Sequence, residues 1–313
     1  MARMAKLGGR DGSDPGVAAA LMAYGLAIAS AALWGSNTVV GRLAVSEVPP
    51  IAMTFWRTTI VVLVLLPFTY RELLSARATL RDHRMALVGL ALVGPVSLNI
   101  LVYYGLTSSL ALNASLYNSA TPIAIVVAAW LIIRERINLR IGAGMLLAMI
   151  GVVAIAVRGS VEVLLAIDIR VGDPLIIAGL LCWAIYSVLL RRRRDGLGDA
   201  AFLTVIMAVS SVAVLPFYIA TGATFDLSLR NLFLIVFSGA VISVFANLCW
   251  IRSIDLIGPN RAAQFHNLIP IFGAALAVMI LDERLHPYHA AGFVAILLGV
   301  YLATRAGAHA TVR

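Results

Sequence analysis

The sequence predicts an all-α membrane protein, with ten transmembrane helices arranged as two inverted five-helix repeats around a central cavity. Three observations predict it. The 313 residues are 61% hydrophobic and 12% charged, where a soluble domain carries about 25% charged residues. Apolar stretches of about 20 residues, enough to cross roughly 30 Å of hydrocarbon, follow one another along nearly the whole chain. The second half of the chain also resembles the first. Helices are the spanning element because backbone groups in hydrocarbon must be satisfied within their own segment.

Residues 1–17 ("MARMAKLGGRDGSDPGV") are polar and glycine-rich, the composition of a disordered tail. The next stretch, "LMAYGLAIASAALWG", has the apolar core and small-residue "ASA" site of a signal peptide. The repeat requires it as a helix instead. Spans are expected at 18–43, 51–70, 85–106, 113–133, 140–157, 174–190, 200–221, 231–251, 262–281 and 287–304. Residues 18–157 then form the first repeat, 158–173 an outer linker, 174–305 the second repeat and 306–313 a tail. The short fifth and sixth spans imply little tilt or a thin bilayer.

The net charge of +9 is a matter of loops rather than of nucleic acid. With a cytoplasmic N-terminus, 18 Lys and Arg residues fall on the inner side and five on the outer, with Arg57 left inside a span. Such asymmetry puts both termini in the cytoplasm. "RRRR" at 191–194 reads as a cytoplasmic anchor closing the sixth span. Cys182 and Cys249 lie in apolar segments and read as packing residues. The expected partners are the lipid bilayer and a small-molecule substrate, with no nucleic acid, no cofactor and no metal. A monomer is expected.

Sliding the chain against itself by 148 residues superimposes Pro122 on Pro270, Glu135 on Glu283, Arg136 on Arg284, Gly144 on Gly292, Gly151 on Gly299 and Asn99 on Asn247. At 149, Trp34 meets Trp183. Five spans is an odd number, so the halves enter the membrane from opposite sides. Inverted repeats of this kind are a transporter architecture, with the site near the midplane between halves.

"ALNASLYNSATPIAIVVAAWLIIRERI" and "IGPNRAAQFHNLIPIFGAALAVMILDERL" carry a family resemblance. Each is a proline-bearing span with a "RER" or "DER" edge, followed by a Gly-spaced last helix. Over about residues 20–305 the chain resembles the EamA family of the drug/metabolite transporter superfamily. The resemblance implies bacterial inner-membrane export of small metabolites, often amino acids. It also implies a cavity lined mainly by spans 1, 3, 4, 6, 8 and 9. The chain is similar as well to the aromatic amino-acid exporter branch.

Polar groups inside spans are costly and therefore candidates for function. Pairs three or four residues apart share a helix face. On span 1 these are Trp34 and Asn37, on span 3 Asn99 and Tyr103, on span 6 Trp183 and Tyr186, and on span 8 Asn247 and Trp250. Asn118 on span 4 precedes Pro122 by one turn; His266 and its neighbour Asn267 precede Pro270 on span 9. Rings offer apolar area and cation–π contact, and amides both donate and accept, which suits an amphipathic solute. The competing reading is interhelical hydrogen bonding. Pro122 and Pro270 are expected to weaken a turn within their helices and act as gates. Trp56, Tyr70 and Tyr24 read as interface anchors, and Arg57 as either snorkelling or attracting a carboxylate.

Every Asp and Glu lies in a loop or at a span edge, so no carboxylate relay for protons crosses the membrane. His266 is the one histidine in the interior of a span, away from its ends, and could titrate near neutrality. No P-loop, H-E-x-x-H or evident triad occurs. The expectation is alternating access by facilitated diffusion or exchange, not an enzyme. A proton-coupled multidrug or metabolite exporter is the alternative, and an intramembrane enzyme or channel a lesser one.

Overall fold

The computed structural model describes residues 15–44, 47–135, 139–166, 168–193, 195–281 and 286–308. Residues 1–14, the edge residues Arg136, Glu283 and Arg284, Arg194 of the arginine run, and 309–313 lie outside the described residues. Among the described residues nine helices are long and apolar enough to cross a membrane, and ten when one bent pair counts as a span.

Span 1 is Pro15–Ala44, beginning inside the segment expected to be a tail. Span 2 is Pro50–Ser75, span 3 Arg84–Leu106, and span 4 the bent pair Leu112–Ser119 and Thr121–Ile133. Span 5 is Leu139–Ala156, span 6 Asp173–Arg191 and span 7 Asp199–Thr221. Span 8 is Leu229–Ile257, span 9 Pro259–Ile280 and span 10 Pro287–Ala308. Short helices Arg77–Asp82 and Val161–Leu165 sit in two of the connections. Prolines open spans 2, 6, 9 and 10, in the first turn, where the missing N–H has no intrahelical partner to lose. Gly222, at φ +58°, closes span 7 in the left-handed conformation.

The helices pack as the repeat demands. Span 1 lies against spans 8 and 9; its counterpart, span 6, lies against spans 3 and 4. Spans 2 and 7, themselves counterparts, pack on each other. So do spans 5 and 10, which run antiparallel along a glycine seam. At Gly151 a Cβ would stand 2.6 Å from the Gly292 carbonyl oxygen, and at Gly292 one would stand 2.8 Å from the Gly151 oxygen. Gly144 and Gly299 abut in the same way. Under the 148-residue shift the 151–292 contact maps onto the 144–299 contact, so the pseudo-twofold axis runs through this seam.

Spans 3 and 8 share a second device. Each widens to a π-type turn, over Leu92–Val96 and Phe237–Ser243. Below each wide turn an asparagine caps a carbonyl on its own helix: Asn99 Nδ2 donates to Pro95 O at 2.6 Å, and Asn247 Nδ2 to Ser243 O at 2.7 Å. Both the asparagines and the carbonyls are 148 residues apart.

One expectation changes. The prolines were expected inside weakened turns. Pro122 and Pro270 instead stand in the first turn of the second half-helix, after breaks at Ala120 and at Asn267–Leu268. A proline is accommodated there without losing a hydrogen bond, so the helix is discontinuous rather than strained. Span 4 bends by 41° at its break. Span 9 runs on as one 22-residue span. Tyr24 packs on Phe265, with ring centroids 5.4 Å apart. Trp56 and Tyr70 are exposed on the outer surface of the bundle.

Candidate functional site

A cavity of about 630 Å³ lies between the two halves. It reaches the end of the bundle where span 2 begins (Pro50), span 3 ends (Leu106, Thr107) and span 4 begins (Ala114, Ser115). Trp34 forms its floor. This ring meets Trp183 edge-on at 5.8 Å, Trp250 at 5.4 Å and His266 at 5.3 Å. Trp34 and Trp183 are repeat counterparts, so the floor lies where the two halves meet.

Eight of the expected residues line the cavity: Trp34, Asn37, Asn99, Tyr103, Asn118, Trp183, Asn247 and His266. Asn37 accepts a hydrogen bond from Ser238 Oγ at 2.9 Å, and Asn118 one from Thr121 Oγ1 at 3.3 Å. Three others do not line it. Tyr186 is buried behind Trp183, in the space left by the absent side chain of Gly94. Trp250 is 1% exposed, supporting Trp34 from behind. Asn267 is buried in the break of span 9. The buried Trp250 Nε1, His266 Nδ1 and Asn267 Nδ2 have no hydrogen-bond partner among the described residues.

The lining also includes residues outside the expected set. Span 2 contributes Pro50, Thr54, Arg57, Thr58 and Val61, and span 7 contributes Met207. Thr58 and Thr38 donate their hydroxyls to carbonyls of their own helices. Arg57 is the notable addition. It does not snorkel along the lipid surface; its Nη2 donates to Asn99 Oδ1 at 2.8 Å inside the cavity.

The opposite end of the bundle is barred. Arg193 pairs with Asp199 at 2.9 Å and Asp195 at 3.7 Å, with its guanidinium carbon 4.3 Å from the centre of the Phe202 ring. Arg191 donates to the carbonyls of Ile254 and Asp255, tying span 6 to span 8. Gly198 N donates to Glu72 Oε1 at 2.7 Å, tying the start of span 7 to span 2. Glu135 follows span 4, close to Arg191, Arg261 and the Asn260 side chain. Burial pushes its carboxyl above the ordinary range, and those three groups draw it part of the way back.

One cavity, open at one end and barred at the other, sits on the axis of an inverted repeat. The model of the EamA-like transporter family matches residues 21–157 and again 170–305, one match in each half. The chain belongs to this family. It is therefore a multi-pass membrane transporter, and its family is one of carriers rather than of enzymes.

Relatives match along most of their length. The uncharacterized transporter YyaM of Bacillus subtilis is 26% identical, over 86% of this chain and 89% of its own. A probable amino-acid metabolite efflux pump of Escherichia coli is 22% identical, over 88% and 93%. A crystal structure 18% identical superimposes with a TM-score of 0.77, covering 93% of this chain and 99% of that one, so the fold is shared.

Proposed function

We propose that this transporter exports small amphipathic metabolites, amino acids foremost, from a bacterial cell across its inner membrane by alternating access. The observation that carries the reading is the cavity on the pseudo-twofold axis, open at one end and barred at the other. Exchanging the conformations of the two halves would open the barred end and close the open one around the same floor. The unequal breaks of spans 4 and 9 support the exchange, because counterparts that differ in bend are what a two-state carrier requires. The ring floor and amide walls suit a solute with an apolar body and a polar head. The efflux pump among the relatives supports amino acids, and the aromatic floor supports those with aromatic side chains.

The 18-to-5 division of positive charge supports cytoplasmic termini, so that the cavity mouth faces outward. No carboxylate lines the cavity among the described residues, which supports facilitated diffusion or exchange over proton coupling. The test is flux into proteoliposomes, screened over amino acids, nucleosides, sugars and cationic drugs. Saturable amino-acid flux that needs no pH gradient is expected. Flux that fails to saturate would indicate a channel, and flux that vanishes without a proton gradient would refute the passive mode.

A further inference from the structure

The two halves share their scaffold but not their charge. Asn99 and Asn247 make the same bond to their own helices at counterpart positions. Among the described residues, only Asn99 has an arginine on its free oxygen. The position 148 residues after Arg57 is Val205, an apolar residue. If the arginine served the fold, the symmetric scaffold would call for one in each half; it needs none in the second.

Arg57 is also held in place. Asn99 Nδ2 is committed to Pro95 O, which leaves Oδ1 to accept from Arg57 Nη2. One guanidinium N–H is thereby used, and a planar fork of five donors retains enough for a two-point contact with a carboxylate. Among the described lining residues there is no Asp or Glu, and Arg57 is the one permanently charged group. Across the cavity are the rings of Trp34 and Trp183.

We infer that Arg57 is the docking point for a solute carboxylate, and that the cavity prefers a monoanionic organic acid with an apolar body over the zwitterion or cation of the same shape. The inference rests on the transport reading above and shifts its substrate class from zwitterionic amino acids to apolar acids that lack the ammonium. The carboxylate takes the guanidinium and the body lies on the tryptophans. An ammonium on the same solute finds ring faces and neutral amide and hydroxyl oxygens, with no counter-charge.

Three compounds sharing a phenylethyl body separate the possibilities: 3-phenylpropionate, phenylalanine and phenethylamine. Equilibrium binding of radiolabelled 3-phenylpropionate to the purified full chain, displaced by the other two, should rank the acid first and the amine at least tenfold weaker. Arg57→Gln should weaken acid binding at least tenfold and leave the amine unchanged, while Arg57→Lys retains part of the affinity. Asn99→Asp gives the guanidinium an internal carboxylate and should cause the same loss with the arginine still present, so the result does not hang on one variant folding. The inference is overturned if the amine competes as well as the acid, if both variants bind the acid normally, or if the wild type binds none of the three. Saturable flux of another solute, independent of Arg57, would leave the transport reading standing and remove this one. Acid bound through Arg57 that never crosses the membrane would do the reverse.

Discussion

Gly151→Ala tests the seam between spans 5 and 10, and with it the axis of the repeat. The added methyl would stand 2.6 Å from Gly292 O, 2.9 Å from Ile296 Cγ1 and 3.0 Å from Ala295 Cβ. The first is about 0.8 Å inside the 3.4 Å of an ordinary contact, and its partner is backbone, which cannot rotate away. The helices must therefore separate by nearly that amount, and a gap of about 0.5–1 Å forfeits a quarter to a half of each atom pair's attraction. Overpacking of this kind costs about 1–3 kcal/mol. Gly292→Ala strikes the same contact from the other side, so the double variant should cost less than the sum, with an interaction energy of about 0.5 kcal/mol or more. Gly142→Ala on the same helix meets nothing within 4 Å and should be neutral or stabilising by up to about 1 kcal/mol. Equilibrium unfolding in mixed micelles measures all four proteins. If Gly151→Ala were as stable as Gly142→Ala, or if the two seam variants simply added, the close approach described here would be wrong.

The prolines give a second prediction: Pro122→Ala and Pro270→Ala restore an N–H at the breaks and should slow turnover while changing solute affinity by less than about threefold. Normal turnover with failed binding would make them packing residues. A third concerns Glu135, which faces Arg191 from span 6 and Asn260 and Arg261 from span 9. Its carboxyl is raised when that end is shut, so the extra stability of closure is fully present below the ordinary carboxylate pKa and is lost as pH rises through the raised value. Labelling of Ala263→Cys, relative to an exposed control cysteine, should therefore slow as pH falls, and Glu135→Gln should flatten the dependence; a flat profile with Glu135 present would refute it. The orientation gives a fourth: impermeant thiol reagents should reach cysteines in 158–166 from outside and at Arg192 only from inside, and the reverse would sink the charge-based topology.

The spans were legible because a hydrocarbon solvent imposes one demand on every stretch. Their ends were not. Span 8 was expected to stop at 251 but runs to Ile257, because a helix carrying Arg252 and Asp255 can continue past the membrane edge into water. The repeat was legible from a handful of landmarks, and the glycine seam and paired asparagines fall on them. The cavity was harder to read. Spacing says which residues share a face, but not where that face points, so Trp183 lines the cavity while Tyr186, one turn on, backs onto Gly94. Arg57 was ambiguous because its partner, Asn99, is 42 residues away. The threonines of span 2 carried no signal at all: a hydroxyl bonded to its own helix is ordinary in any membrane protein.

The arginine on the cavity wall gives the carrier an electrical asymmetry. With the proposed carboxylate bound, the site is neutral and would change its access without regard to the membrane potential. Empty, it bears one positive charge, and changing its access moves that charge through some fraction of the field. A full charge is worth about 2.3 kcal/mol per 100 mV. On the proposed export of monoanionic acids, an interior-negative voltage would draw the unloaded site toward the cytoplasm, where it can load again, and the voltage dependence would fall on the return of the empty carrier.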